Sequence, residues 1–403
     1  MPLAASRQPI ARAIPEVQRK TSSIFNPEFD LLLVCCTHRS EIEGAERIRE
    51  TLTRPLDWKR VINLAKHHGV VPQIYRALSD FRDIAPPDSI ETLRQSQEAN
   101  ARHTLWLTRE LVRILEKLES SRVAVLPYKG PVLAEILYGN VSMRQFSDLD
   151  LLIHSSDLPR IKSALAELGY EPRVELTQRE ERDYLESGYE YTLDHQLGRN
   201  LVEVQWRILP RFYSVDFDFD GFFQRSVPRS VSGMTLRTLC AEDLVLVLCV
   251  HAAKHAWQQL SWLCDIAEIA RSQQIDWNAV EEQAKRLGIQ RIVAISLFLT
   301  HKLLEQEGAP SKLRLGEGFA SIENLADEII PTLAEGADYN TESISYFRLM
   351  IRARERWRDR IKFLGRLLLT PSVGEWSAIR LPAQLFPLYR VVRIFRLLSR
   401  LFS

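Results

Sequence analysis

Residues 122–153 read RVAVLPYKGPVLAEILYGNVSMRQFSDLDLLI, and this stretch decides the fold. The segment 122–127 is short and rich in valine, which predicts a strand. Residues 131–138 follow a Lys-Gly turn and begin with proline, which predicts a short helix ending at Gly139. Residues 148–153 predict a second strand. This succession of strand, helix and strand indicates a compact α/β unit.

The same unit continues beyond this stretch. Residues 157–168 have the apolar spacing of an amphipathic helix. Residues 189–195 and 201–208 predict two strands that are joined by a hairpin loop. We therefore expect a single α/β core at residues 122–215.

Helical patterns lie on both sides of this core. Asp88 and Glu91 have the spacing of a capping box, which predicts the start of a long helix just after two consecutive prolines. The sequence predicts the α+β class, with a small mixed-sheet core between N-terminal and C-terminal helical regions. The expected divisions are a flexible tail at residues 1–25, helices at 26–121, the core at 122–215, a helical domain at 216–345 and basic helices at 346–403.

The charge of the chain is balanced as a whole and uneven along its length. The 403 residues include 53 Lys and Arg and 52 Asp and Glu, a net charge of +1, which gives no reason to expect a nucleic-acid partner. Residues 351–403, however, carry 12 basic and 3 acidic residues, or +9, so residues 1–350 carry −8. The basic C-terminal helices, which include Arg390, Arg393 and Arg396, could contact an anionic membrane surface or pack against the acidic body.

Cysteine usage and hydropathy indicate the compartment. The chain has 5 cysteines, an odd number without metal-like spacing, which favours unpaired thiols in a reducing cytosol. There is no apolar run of 18 residues and no secretory signal at the N-terminus. We therefore expect a cytoplasmic protein.

The Asp148-Leu149-Asp150 triplet is the sharpest chemical feature. Side chains alternate across a strand, so Asp148 and Asp150 point to the same face about 7 Å apart. At that distance they repel each other by roughly 2 kcal/mol, a cost that a cation would remove. Glu203 faces away from its valine neighbours in a later strand. If the two strands are adjacent, the three carboxylates converge and suit Mg²⁺ or Mn²⁺. Taken singly, such acids also line solvated turns and sheet faces.

A second feature is the Lys129-Gly130 turn between the first strand and the first helix of the core. Glycine lets a backbone approach a ligand closely, and a helix N-terminus attracts anions. A triphosphate beside the Lys129 ammonium would suit this turn, although an ordinary turn with an exposed lysine has the same pattern. Arg144 could hold a phosphate, pair with one of the two aspartates or lie in a solvated loop.

A third feature lies in the helical region that follows the core. His251, Lys254 and His255 have the spacing of one helix face. Lys254 could reach the triphosphate and His255 the substrate. Alternatively, these residues pack between helices with Trp257, Trp262 and Asp265.

Together these residues resemble the nucleotidyltransferase superfamily of the DNA polymerase β type, and more closely its branch of uncharacterised bacterial nucleotidyltransferases. The residues that carry the resemblance are Lys129-Gly130, Leu137-Tyr138-Gly139, Arg144, Asp148-Leu149-Asp150-Leu151-Leu152, Gly169-Tyr170, Glu203, Trp206, Asp57-Trp58, His251, Lys254, His255, Trp257, Trp262 and Asp265. The superfamily usually has Gly-Ser in place of Lys129-Gly130, and the branch often has histidine in place of Gln205.

The resemblance implies that Asp148 and Asp150 bind two metal ions and that Glu203 is a third ligand or a general base. It also implies that Lys129-Gly130 holds the β- and γ-phosphates. The activity it implies is Mg²⁺- or Mn²⁺-dependent transfer of a nucleoside monophosphate, AMP from ATP in the simplest case, to a hydroxyl of a small-molecule, peptide or protein acceptor. The departure at Lys129-Gly130 leaves an alternative: a catalytically silent nucleotide-binding or sensing module of a biosynthetic or toxin–antitoxin cluster.

Overall fold

The computed structural model describes most of the chain in one continuous block and several shorter segments. The described residues are 25–37, 41–198, 200–305, 319–338, 340, 343–370, 379, 381, 385 and 388–399. The tail predicted at residues 1–25 lies outside these ranges except for Phe25, and so do parts of the predicted C-terminal helices.

Among the described residues, five helices precede the core, in the region that we expected to be helical. They are α1 (Pro27–Cys36), α2 (Glu41–Leu52), α3 (Trp58–His67), α4 (Val71–Leu78) and α5 (Pro87–Ser120). Asp57 caps α3, because its carboxylate accepts hydrogen bonds from the amides of Lys59 and Arg60. The capping box predicted for α5 is wrong: α5 begins at Pro87 with no side-chain cap, since proline has no amide hydrogen to satisfy. Glu91 pairs with Arg94 instead.

The core is a mixed sheet of five strands with three helices. Its elements are β1 (Val125–Pro127), α6 (Gly130–Tyr138), β2 (Asp148–Ile153), α7 (Leu158–Ala166), β3 (Tyr170–Pro172), α8 (Gln178–Ser187), β4 (Glu190–His195) and β5 (Leu201–Gln205). The strand order is β1-β2-β5-β4-β3. β2 and β5 run parallel, and the other neighbours run antiparallel. The predicted α+β class with a small mixed sheet is confirmed.

Alternation along the central strands separates a buried apolar layer from a polar face. Leu149 and Leu151 of β2 and Val202 and Val204 of β5 are buried in one hydrophobic cluster. The alternate positions of the same strands carry the acidic residues, which therefore share the other face of the sheet. This arrangement positions the candidate site.

A second, two-stranded sheet and a set of helices follow the core. The elements are α9 (Phe219–Arg225), β6 (Val227–Val231), β7 (Met234–Thr238), α10 (Ala241–Lys254), α11 (Leu260–Ser272), α12 (Trp277–Leu287), α13 (Gln290–Leu304), α14 (Phe319–Glu335), α15 (Ile344–Arg352), α16 (Trp357–Leu369) and α17 (Tyr389–Ser399). The β6–β7 hairpin lies within the region that we expected to be helical. It contacts the core through Thr238, whose hydroxyl donates to the carbonyl of Pro127 at 2.7 Å. None of the helices in the described ranges is long and apolar enough to cross a bilayer.

Candidate active site

Two of the three predicted acids are direct neighbours across the sheet. In the parallel pairing of β2 and β5, Asp150 lies opposite Glu203. Asp150 is buried and Glu203 is partly buried. Asp148 stands two residues earlier on β2, also half-buried and on the same face. The strand pairing thus brings the three carboxylates together on one face of the sheet.

Lys129 reaches this cluster from the turn after β1. Its Nζ donates to Asp150 Oδ1 at 2.9 Å, and both side chains are well shielded from solvent. The ammonium also lies 5.1 Å from the centroid of the Tyr128 ring. Burial alone would lower the pKa of Lys129, but the charges of Asp150 and Asp148 outweigh it, so the pKa lies above its usual value. Lys129 is therefore a fixed cation within the acidic cluster.

Gly130 lets the turn approach β2 closely. Its φ is +53°, and an added Cβ would lie 3.2 Å from the carbonyl oxygen of Asp148. Both conditions favour glycine, because other residues are strained at positive φ and would crowd the strand. Gly130 begins α6, so the N-terminus of that helix lies beside the start of β2.

Gln205 connects the acids through its side-chain amide. Its Nε2 donates to Asp150 Oδ1 at 3.2 Å and to Glu203 Oε2 at 3.0 Å. Its Oε1 accepts a hydrogen bond of 2.6 Å from the Tyr128 hydroxyl. The sequence comparison marked this position only as a departure from histidine. The structure gives the glutamine a specific task, which is to orient two carboxylates.

Glu190 is a fourth carboxylate that our sequence reasoning missed. It is the register partner of Gln205 on β4, and its Oε2 lies 3.4 Å from Gln205 Nε2. The signal was present in the alternation of β4, since Glu190, Thr192 and Asp194 share the face that Glu203 occupies on β5.

Crowding of these acids changes their protonation. Burial, followed by the charges of Asp150 and Glu190, raises the pKa of Glu203 to about 8. Burial and the charge of Asp150 also raise the pKa of Asp148. Without a cation, the folded chain therefore relieves desolvation and mutual repulsion by keeping Glu203 largely protonated near pH 7.

The chemistry of these donors fits a hard divalent cation, although the side chains are not arranged around one. Within the described parts of the chain there is no group of three or more His, Cys, Asp or Glu side chains positioned to hold a metal ion. Lys129 and Gln205 contact the oxygens of Asp150, and Gln205 also contacts Glu203. Carboxylate oxygens are nevertheless the ligands that Mg²⁺ and Mn²⁺ prefer.

Lys254 lies at the end of α10 and faces the sheet. Its Nζ donates to the Tyr189 hydroxyl at 2.9 Å and sits 4.6 Å from the centroid of that ring. Burial lowers the pKa of Lys254, although the charges of Glu190 and Glu203 act in the opposite direction. A second lysine thus borders the acidic cluster from the helical region.

Arg144 pairs with neither of the two aspartates on β2. Its Nε donates to Asp265 Oδ2 on α11 at 2.9 Å, and both side chains are buried. The Tyr138 hydroxyl donates to the other oxygen of Asp265, also at 2.9 Å. Of the roles considered for Arg144, the structure shows neither a pair with an aspartate of β2 nor a solvated loop, but a buried link between the loop before β2 and the helical region. Phosphate binding by Arg144 stays a prediction.

His251 of α10 and His255, which follows the last residue of that helix, pack together. The rings of His251, His255 and Trp262 lie 5.0–5.3 Å apart, centroid to centroid. Burial, reinforced by the charge of Lys254, lowers the pKa of His255 to about 3, and the pKa of His251 is also well below its usual value. Both rings are neutral at pH 7, which agrees with the packing interpretation.

Comparison with known proteins matches more than half of the chain to one protein family. A family described as "Uncharacterised nucleotidyltransferase" matches residues 54–305. The search of curated proteins finds no match. Among solved structures, the chain is similar to the antibiotic-resistance factor ANT(2'')-Ia in solution, with 14% identity, a TM-score of 0.34 and coverage of 45% of this chain and 91% of that one. A crystal structure of ANT(2'')-Ia in complex with adenylyl-2''-tobramycin has 14% identity, a TM-score of 0.27 and coverage of 48% and 95%.

Proposed function

The chain belongs to the uncharacterised nucleotidyltransferase family, and from this premise we propose that it transfers a nucleoside monophosphate to a hydroxyl group of an acceptor. ATP is the simplest donor, so that AMP is transferred and pyrophosphate is released. The acceptor is a small molecule, a peptide or a protein. A nucleic-acid acceptor is not expected, because the net charge of the whole chain is only +1.

One observation carries this proposal: Asp150 and Glu203 are register partners on adjacent parallel strands, and Asp148 shares their face. Three carboxylates that crowd one face of a sheet are costly unless a cation offsets their charge. The raised pKa values of Glu203 and Asp148 are the signature of that cost.

Asp148, Asp150 and Glu203 would hold a divalent cation, Mg²⁺ or Mn²⁺. When bound, such a cation neutralises phosphate charge and makes an attacking hydroxyl more acidic. The remaining work falls to side chains that are already in place. Gln205 orients the carboxylates of Asp150 and Glu203 through its amide.

Lys129 supplies the positive charge for the phosphates. Its ammonium contacts Asp150, and a bound phosphate oxygen would replace that carboxylate as its partner. Gly130 lets the N-terminus of α6 lie beside it and close to the start of β2, and helix N-termini attract anions. Lys254, whose Nζ donates to the Tyr189 hydroxyl, borders the acidic cluster from the end of α10 and is the second lysine available to a phosphate.

The test is transfer of label from α-labelled ATP in the presence of Mg²⁺, with a cell extract as the source of acceptors. We expect Asp150→Asn to abolish transfer. The matched control is Asp194→Asn, because Asp194 lies on the same sheet face and pairs with the exposed Arg173. Label transfer that persists in Asp150→Asn and in Asp148→Asn would remove the catalytic assignment.

The ion pair between Lys129 and Asp150 also favours a second function, that of a nucleotide-binding or sensing module without turnover. In that case Lys129 blocks the cation position permanently. Calorimetry of ATP binding beside a pyrophosphate assay separates the two functions. ATP binding without pyrophosphate release over a broad set of acceptors would establish the module and exclude the transferase activity.

We place the protein in the cytoplasm. All five cysteines, which lie in described segments, are unpaired. Unpaired thiols, three of them buried, suit a reducing compartment that also supplies ATP. Fractionation of cells that produce the full chain tests this location, and recovery from an oxidising compartment would contradict it.

A further inference from the structure

The helices α16 and α17 expose large apolar side chains to solvent. On α16, Trp357 is 65% exposed, and it begins a stripe whose members are spaced by three or four residues. On α17, Phe395 is 68% exposed. The complete set, which we call the C-terminal apolar surface, is Trp357, Ile361, Leu364, Leu368, Leu369, Leu388, Val391 and Phe395.

The opposite sides of the same helices are anchored. Phe363 and Leu367 of α16 are buried. Lys362 and Arg366 pair with Asp216, and Arg393 of α17 donates to the carbonyl of Leu367 at 2.6 Å. Packing against the acidic body therefore accounts for one side of α16 and leaves a second apolar side uncovered. Such a surface indicates an interaction site.

The charges around this surface are almost all positive. Helix α17 contains no acid, and of its three arginines Arg393 is buried against α16, while Arg390 is exposed and Arg396 is partly exposed. The one acid of α16, Asp359, is paired with Arg356 and mostly shielded. Arg358, in contrast, lies over the Trp357 ring at 5.6 Å from its centroid. The surface thus combines apolar residues with a basic border.

We propose that the C-terminal apolar surface lies on an anionic lipid bilayer, with α16 and α17 in the plane of the interface. Apolar residues would enter the acyl boundary while arginines contact the headgroups. Residues 351–403 carry a net charge of +9, and residues 1–350 carry a net charge of −8. An anionic bilayer attracts the first segment and repels the second, which orients the protein with α16 and α17 towards the lipid. A second copy of the chain is a poorer occupant, since it would bring the same positive charges together. This proposal does not depend on nucleotidyl transfer.

The experiment is co-sedimentation of the full chain with vesicles. One set consists of phosphatidylcholine mixed with phosphatidylglycerol and the other of phosphatidylcholine alone. We expect binding at least about tenfold stronger to the anionic vesicles, and loss of that difference at high salt. The double variant Trp357→Ser/Phe395→Ser, which keeps every charge, is expected to weaken binding by about tenfold or more.

The matched control is Leu105→Ser, because Leu105 is equally exposed but lies on α5. Leu105→Ser should bind vesicles as the wild type does. Circular dichroism should show that the wild type, Leu105→Ser and the double variant are all folded. Equal binding to both vesicle types, or unchanged binding by the double variant, would overturn the proposal. A dimer that the double substitution dissociates would assign the surface to a second copy and overturn it as well.

Discussion

Lys129 Nζ and Asp150 Oδ1 lie 2.9 Å apart in a part of the molecule that water barely reaches. The lysine comes from the turn after β1 and the aspartate from the middle of the polar face of β2. Their ion pair ties the expected phosphate-binding turn directly to the expected metal-binding strand. Any cation or phosphate that enters this site must compete with that ion pair. The strength of the pair therefore affects both the affinity for these ligands and the stability of the fold.

Removal of one partner of this pair should destabilise the fold strongly. Asp150→Asn removes the carboxylate that the buried Lys129 ammonium contacts, and we expect a loss of about 3–5 kcal/mol in the free energy of unfolding. The double variant Lys129→Met/Asp150→Asn removes both charges and should recover most of that loss. Chemical denaturation of the three proteins measures this.

The control for that series is the exposed pair between Arg173 and Asp194. Asp194→Asn should cost less than about 1 kcal/mol, because solvent screens the pair. A double variant no more stable than Asp150→Asn would contradict a compensating pair. Nucleotidyl transfer should be absent in both Asp150 variants, whatever their stability.

Two glycines at the ends of α6 provide a matched test of the turn. Gly130→Ala and Gly139→Ala both force alanine into left-handed backbone, at a cost of about 1 kcal/mol each. Only Gly130→Ala also brings a Cβ within 3.2 Å of the Asp148 carbonyl, whereas nothing lies within 4 Å at Gly139. We expect Gly130→Ala to slow transfer by about tenfold or more through misplacement of Lys129. Transfer by Gly139→Ala should be unchanged, and equal activities would show that close approach of the turn is not required.

The fold could be predicted where local pattern determines structure. Strand β2 matches its predicted bounds, Asp148–Ile153, because acids and leucines separate its two faces unambiguously. The sequence analysis does not predict the hairpin of β6 and β7, since each strand has only five residues and about half of these residues are exposed. Burial of a strand in tertiary contacts, rather than alternation within it, decides such cases.

Residues of the candidate site could be predicted where alternation along a strand fixes their position. They could not be predicted where their partners lie far away in the sequence. Alternation correctly indicated that Asp148, Asp150 and Glu203 share a face, because register follows from strand pairing. The partner of Arg144 could not be foreseen, as Asp265 lies 121 residues away on another helix. Gln205 was overlooked as a carboxylate-orienting group because its amide gains that role only from the three acids that surround it.

His68 should make stability depend on pH. Its ring is fully buried, and burial, followed by the charge of His67, lowers the pKa of His68 from 6.5 to about 3. The unfolded chain therefore binds a proton between these values that the folded chain does not. The resulting stabilisation is present above pH 6.5 and is lost as the pH falls towards 3.

We expect this single group to remove about 2 kcal/mol of stability on going from about pH 7 to pH 5. His68→Gln should be less stable at neutral pH, because the side chain is repacked, but its stability should fall less on acidification. Urea denaturation at the two pH values measures the difference. Parallel losses in the wild type and His68→Gln would show that another group causes the acid sensitivity.

Divalent cations should be required for transfer, and Glu203 should set the concentration that is needed. Its carboxylate is crowded by Asp150 and Glu190, so a bound cation would remove repulsion that the folded chain otherwise bears. Removal of cations with a chelator should abolish transfer, and Mg²⁺ or Mn²⁺ should restore it. Glu203→Gln, which keeps the shape of the side chain, should raise the cation concentration for half-maximal activity by about tenfold or more.

Mn²⁺ binding followed by electron paramagnetic resonance gives a readout of this site that does not depend on turnover. Glu203→Gln should bind Mn²⁺ more weakly than the wild type by a similar factor, because it loses a charged oxygen ligand. The matched control is Glu171→Gln. Glu171 lies on β3, an edge strand of the sheet, and contacts Gln196 rather than the acidic cluster. Mn²⁺ affinity that is equal in Glu203→Gln and Glu171→Gln would exclude Glu203 as a ligand. Transfer that survives the chelator would exclude metal dependence altogether, and would leave Lys129 and Lys254 as the cations that the chain itself supplies to the phosphates.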